Sequence, residues 1–127
     1  MRIILMVIQL LLSLNFVHFL GDFTPLNQWF IAAKQYGKPV WLVACHGAVN
    51  GALYGIAAAL FVGLKAALLA FAVETVTHTI IDVLKGRINN RFPVVEDTGK
   101  PVHWTVMGAD KFLHQVVLIF IVSLCFK

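Results

Sequence analysis

The sequence predicts an all-α fold, an integral membrane bundle of four transmembrane helices with a short interfacial helix between the first and the second. Three observations predict it. The chain of 127 residues is 60% hydrophobic and only 13% charged, where a water-soluble domain carries about 25% charged residues. Four apolar stretches are long enough, at 1.5 Å per residue, to cross a hydrocarbon layer of about 30 Å. The polar residues fall between those stretches or near their ends. No internal repeat, low-complexity tract or composition shift divides the chain, so residues 1–127 read as one transmembrane domain.

The first span runs from Ile3 to Leu20. Arg2 before an apolar run resembles the start of a signal peptide, but the run is long for one and no A-x-A-like cleavage site follows, which favours a retained helix. Next comes GDFTPLNQWFIAAKQYGKP, where Trp29, Phe30, Ile31 and Tyr36 mix with Lys34 and Lys38. This composition predicts the interfacial helix, with Pro25 near its start and Gly37 to Pro39 ending it. The second and third spans, Val40 to Val62 and Leu64 to Leu84, are separated only by a tight turn at Gly63 and form an antiparallel hairpin. Gly47, Gly51, Gly55, Ala59 and Gly63 recur at four-residue spacing on the second span, a small-residue face that lets another backbone approach, from within the chain or from a second copy. Residues 85–107 are polar, carry Pro93 and Pro101, and read as an irregular lid or loop before the fourth span, Gly108 to Phe126. Trp29, Trp41 and Trp104 read as interfacial anchors.

Charge placement sets the topology and excludes one class of partner. The two longer connections hold Lys34, Lys38, Lys85, Arg87, Arg91 and Lys100, against Arg2, Lys65 and Lys127 on the other side. By the positive-inside rule the longer connections face the cytoplasm and both termini face away. The net charge of +4 is spread singly with no basic stripe or aromatic platform, so no nucleic acid partner is expected. Cys45 and Cys125 fall toward opposite ends of their spans and form neither a disulfide nor a CxxC pair.

The ionisable residues carry the chemistry. An Asp at a helix centre costs about 2.5–3.5 kcal/mol on insertion scales, so each one inside a span requires a reason. Four of the six acids and four of the five histidines lie within or at the edge of apolar spans. They form pairs at i, i+4: His18 with Asp22, His46 with Asn50, His78 with Asp82 and Asp110 with His114, and Glu74 precedes His78 by the same interval. That interval puts both members on one helix face, about 6 Å apart along the axis. With four antiparallel spans, all these ends share one side of the membrane. The expected arrangement is a ring of Asp22, Asp82 and Asp110, a ring of histidines one turn deeper, and a third layer of Glu74, Asn50 and Asn15.

Imidazoles and carboxylates converging in a helical bundle are ligands for a divalent transition metal. His18, Asp22, His46, His78, Asp82, Asp110 and His114 are the candidate ligands. The absence of thiolate suits one or two ions of Zn, Mn or Fe, with spare carboxylates orienting imidazoles. Glu74 and Asp82 are the candidate catalytic proton acceptors. A plainer reading makes each histidine an interhelical hydrogen-bond partner, and individually such bonds are weak. His103 reads as a solvated loop residue. Lys85, Arg87 and Lys111 read as snorkelling topology determinants that would also suit an anionic headgroup.

H-x-x-x-D-F (His18, Asp22, Phe23), Gln28–Trp29 and Lys34, His46, H-x-x-x-D-x-x-K (His78, Asp82, Lys85) and D-x-x-x-H (Asp110, His114) follow in order along nearly the whole chain. In this the sequence resembles a domain-of-unknown-function family of small bacterial and phage membrane proteins, which implies the inner membrane of a bacterium or of a phage-infected host. That pattern places Asp-Gln before the final histidine motif, where this chain has Asp110–Lys111. A looser likeness, to membrane-bound metal-dependent hydrolases of bacterial inner membranes, implies hydrolytic chemistry by analogy. The leading expectation is a metal-dependent hydrolase of a lipid or lipid-linked phosphoester, with membrane lipid as its partner. Two others differ in class: a proton or divalent-cation transporter or channel component using Asp82, His78 and Glu74 as steps, and a phage-encoded interaction protein whose polar cluster is only structural.

Overall fold

Apolar runs free of proline propagate as helix until a residue that breaks the hydrogen-bond ladder intervenes, and the computed structural model, which describes residues 1–127, follows that rule. Helix α1 spans Arg2–Phe23, α2 Ile31–Tyr36, α3 Val40–Phe61, α4 Leu64–Arg91 and α5 Pro101–Cys125. Short 3-10 turns at Pro25–Asn27 and Pro93–Glu96 join them, and there is no strand. Four helices, α1, α3, α4 and α5, are long and apolar enough to cross a membrane.

Three helix ends lie beyond the expected limits. Helix α1 continues past Leu20 to Phe23, α4 continues past Leu84 to Arg91, and α5 begins at Pro101 instead of Gly108. Hydropathy marks where lipid contact ends, whereas a helix stops where its backbone bonds stop. Residues 85–91 contain no proline, and Pro101 stands within the first turn of α5, where its missing N–H costs nothing. The expected irregular segment therefore shrinks to residues 92–100. Its buried anchor is Val95, whose carbonyl accepts from His103 Nδ1 at 2.8 Å, so His103 is a half-buried strut of α5 and not a solvated loop residue. Trp104 Nε1 donates to the Thr98 carbonyl at 3.0 Å, and Gln35 Nε2 donates to Glu96 Oε1 at 3.0 Å, which ties this segment to α2.

The interfacial segment divides in two: Pro25 opens the 3-10 turn, and α2 starts only at Ile31. Gly37 ends α2 with φ +65°, a left-handed cap that releases the chain toward α3. Where α2 crosses α4, a Cβ on Gly86 would run into the Gly37 amide and the Lys34 carbonyl, so two backbones touch there.

Helices α3 and α4 form the expected hairpin through Gly63, which has φ +130°. A Cβ on Gly47 or Gly51 would strike Thr79 and Thr75 of α4 and the carbonyls of Thr75 and Phe71. The small-residue face of α3 is thus filled from within the chain by α4.

The bundle has two halves. The far half is a dry core of Leu10, Leu14, Tyr54, Ala58, Ala70, Leu118 and Ile121. The half nearer α2 buries His18, Asp22, His46, Asn50, Glu74, His78, Asp82, Asp110 and His114. Large apolar side chains such as Leu12, Phe16, Leu60, Leu68, Phe112 and Ile119 point outward. This distribution, polar inside and apolar outside, suits lipid as the solvent.

Gly86→Ala should therefore destabilise the folded chain by about 1–3 kcal/mol, as overpacking against backbone does. Gly108→Ala, whose Cβ meets nothing within 4 Å, should leave it unchanged. Unfolding in mixed micelles on titration with SDS checks the pair, and equal stability of the two variants would contradict the close α2–α4 crossing.

Candidate metal centre

Each long helix delivers its polar pair at the end nearest α2, because α1 and α4 arrive at that side while α3 and α5 leave from it. All seven expected ligand residues and Glu74 are buried, none more than 6% exposed, and they meet in one pocket. His78 stands at its centre. Its Nδ1 lies 2.8 Å from Glu74 Oε1, and its Nε2 lies 3.3 Å from Asp22 Oδ1, 3.3 Å from Asp82 Oδ2 and 3.2 Å from His46 Nε2. An Nδ1–H donated to Glu74 leaves the Nε2 lone pair facing the other acceptors, the orientation a carboxylate imposes on a metal-ligating imidazole.

Acceptors that converge this closely need a cation among them, and α2 provides one. Lys34 Nζ lies 3.2 Å from Asp22 Oδ1, 3.0 Å from His46 Nε2 and 3.4 Å from Asp82 Oδ2. It hydrogen-bonds the first two and forms an ion pair with the third. Two more lysines converge on Asp110 Oδ2, Lys85 at 3.2 Å and Lys111 at 3.1 Å, and Lys111 also lies over the Phe23 ring. Four buried carboxylates against three ammonium groups leave one negative charge when the imidazoles are neutral.

The expected layers are compressed into this cluster. Asp22 lines the open cleft and also reaches inward, its Oδ1 2.9 Å from His46 Nε2. Asn50 lies beside Asp22 and His46, 3.4 Å and 3.2 Å away. Asn15 is outside the pocket altogether: it is exposed, donates to the Leu11 carbonyl and accepts from Gln115 at 3.0 Å. Glu74 lies behind the histidines, 3.8 Å from His18 Nδ1, while Asp82 lines an open cleft of about 350 Å³ together with Asp22, Lys34, Lys85 and Lys111.

Three overlapping groups could hold a metal ion: His18, Glu74, His78 and His114; Asp22, His46 and His78; and Asp82, Asp110 and His114. Lys34 already covers acceptors of the second. In the third, His114 Nε2 and Asp110 Oδ1 are buried with no hydrogen-bond partner. His114 Nε2 lies 3.5 Å from Asp110 Oδ1 and 3.6 Å from Asp82 Oδ1, too far for good hydrogen bonds. Ligand atoms about 2.0–2.1 Å from a tetrahedral ion stand about 3.3–3.4 Å from one another, so this spacing fits an ion held between them. The two lysines on Asp110 Oδ2 leave Oδ1 turned inward. His18 Nε2 and Asp22 Oδ2 are a second orphaned pair, 3.5 Å apart.

The family model described as a protein of unknown function (DUF3307) matches residues 6–127, which include every residue of the cluster. The chain belongs to that family. No curated protein and no solved structure is matched.

Two features of this DUF3307 chain escape a reading of its spans. Lys34 counts in sequence as a topology residue of a connecting segment, and only the unpaired charge of the acids hints that a lysine must come inward. Tyr54 reads as one more aromatic of an apolar span, yet it is fully buried with its hydroxyl 3.3 Å from His18 Nδ1. Replacing Lys34 by Met should cost about 3–5 kcal/mol of stability, because it strands buried carboxylates without a cation. Adding Asp22→Asn should recover part of that loss. Mixed-micelle unfolding of both single variants and the double variant checks this, and simple additivity would count against the pairing.

Proposed function

We propose that this chain is a metal-dependent hydrolase of a lipid or lipid-linked phosphoester in the bacterial inner membrane, with α2 and residues 92–100 on the cytoplasmic side. One observation carries the reading: His114 Nε2 and Asp110 Oδ1 turn unsatisfied toward Asp82, beside a cleft bordered by Lys34, Lys85 and Lys111. Three protein ligands with room for a further one is the pattern of a catalytic zinc centre, whereas closed sets of four are structural. The ligand chemistry admits Zn, Mn or Fe, and His18 with Asp22 provides room for a second ion.

A divalent ion there supplies Lewis-acid polarisation of a phosphoryl oxygen and an acidified water. The other roles fall to the chain. Asp82 is the carboxylate placed to accept the proton of the attacking water, because it alone joins the ligand group to the open cleft. Glu74, the other candidate acceptor, sits behind His78 and fixes its ring. Water then bonds to phosphorus, the ester P–O bond breaks, and the departing oxygen takes up a proton. Charge favours the substrate: a divalent ion turns the residual single negative charge into a single positive one, which an anionic phosphoester offsets. Lys34, Lys85 and Lys111 face the developing phosphoryl charge at the mouth.

The dry core beneath Glu74 weighs against conduction. Below it the interior consists of residues such as Ala70, Leu10, Leu14 and Leu118, with no polar stripe to carry a proton or a cation across.

Purified protein stripped with chelator and reconstituted should take up about one or two equivalents of metal by elemental analysis. His114→Ala should abolish stoichiometric uptake, and Glu74→Gln should weaken it about 10–100-fold. Asp82→Asn should slow hydrolysis of a long-chain phosphomonoester in micelles by at least about 100-fold. No stoichiometric metal in the wild type would end this reading, and flux into liposomes that Glu74→Gln abolishes would replace it with transport.

A further inference from the structure

The ligand group faces two openings. One is the cleft at the membrane surface. The other is a groove of about 210 Å³ on the outer face of the bundle between α4 and α5, lined by Leu84, Ile88, Val106 and Leu113 and also by Lys85 and Asp110. Its residues recur as Ile81, Leu84, Lys85 and Ile88 on one helix and Val106, Ala109, Asp110 and Leu113 on the other, the same i, i+3, i+4, i+7 stripe on both. Each stripe is apolar except for one charged member. Those two members are paired, Lys85 Nζ to Asp110 Oδ2 at 3.2 Å. Ala109 is the small member, and its methyl leaves the channel open where a larger side chain would close it.

We infer that this groove is a lateral entrance from the bilayer: it holds the hydrocarbon tail of an anionic phospholipid-type substrate while Lys85 passes the headgroup into the cleft. The inference deepens the hydrolase reading and rests on it for the chemistry, though not for the binding. Two features separate the groove from an ordinary lipid-facing furrow. Lys85 lines both the groove and the cleft, so the tail site and the headgroup site share one residue. Asp110, more than nine-tenths buried, lines the groove, so the carboxylate that turns its free Oδ1 inward to His114 also borders the route from the bilayer. By contrast, the larger groove between α1 and α3, lined by Leu12, Phe16, Ile56 and Leu60, contains no charged residue at all. A diffusing lipid that enters between α4 and α5 would meet a cation at headgroup depth. One that lies between α1 and α3 would not.

Such a groove selects for a tail as well as a phosphate, so the expected substrate is membrane-resident and not a soluble phosphate ester. The test uses the full chain in phosphatidylcholine nanodiscs and measures retention of dioleoyl phosphatidate by native mass spectrometry, with inorganic phosphate binding measured in parallel. Ala109→Phe, an exposed site, should lower phosphatidate retention at least tenfold without changing phosphate binding. Leu60→Trp, in the α1–α3 groove, should change neither. Phosphatidate retention that is insensitive to Ala109→Phe, or that falls equally with Leu60→Trp, would overturn the inference. Because retention requires no turnover, the tail site can stand where hydrolysis is absent. Equally, turnover of phosphatidate by the Ala109→Phe variant at the wild-type rate would discard the groove and leave the hydrolase reading in place.

Discussion

Four carboxylates within a lipid-solvated bundle need positive charge close by, and the placement of Lys34 among Asp22, Asp82 and His46 is the contact on which the rest of the structure turns. A surface lysine contributes little to stability, but one whose partners are desolvated is held by strong Coulomb forces and is costly to remove. To reach Asp22 and Asp82 the lysine must be carried inward by its backbone. That explains why α2 lies so near α4 that Gly37 and Gly86 touch without side chains. The short helix is thus less an anchor resting on the bilayer than a plug seated in the polar end of the bundle.

The same logic accounts for the division of the interior. In lipid, apolar helices gain little from burying apolar surface against one another, so association depends on close backbone packing and on polar contacts between helices. The hairpin α3–α4 uses the first, through Gly47 and Gly51. The outer helices α1 and α5 rely more on the second: His18 and Asp22 from one and Asp110 and His114 from the other reach the residues of α4. The cluster therefore does two things at once. It joins the four helices, and it leaves several of its own atoms unsatisfied, which a purely structural network would avoid.

Much of this was legible in the sequence. The i, i+4 pairs fixed which faces turn inward, and the order of spans fixed that the pairs meet at one end. Helix geometry alone is enough for both steps, since rise and period are nearly constant. Side-chain reach is not. The sequence puts Asp22 at the rim because it lies two residues beyond the first apolar span, yet an aspartate one turn beyond a histidine can bend back to the level of that histidine. Asn15 and Asn50 show the corresponding failure in rotation. Both sit at a depth compatible with the third layer, but Asn15 faces outward from α1 toward Gln115 while Asn50 faces inward. Lys34 escaped for another reason: a long side chain in a connecting segment has no periodicity to reveal its direction.

Asp110 shows how chemistry and access come together. Its two oxygens are used differently, Oδ2 gripped by Lys85 and Lys111 and Oδ1 turned free toward His114. Rotation of the carboxyl is thereby blocked, and the free oxygen is held at ligand spacing without spending a proton donor on it. The same side chain lines the groove between α4 and α5, and its partner Lys85 lines both that groove and the open cleft. Hydrolysis of a membrane-resident ester needs water from one direction and an apolar tail from the other. In the hydrolase we propose, a reacting phosphorus beside Asp110 would sit where those two routes meet, a position that the end of the bundle offers and its centre does not.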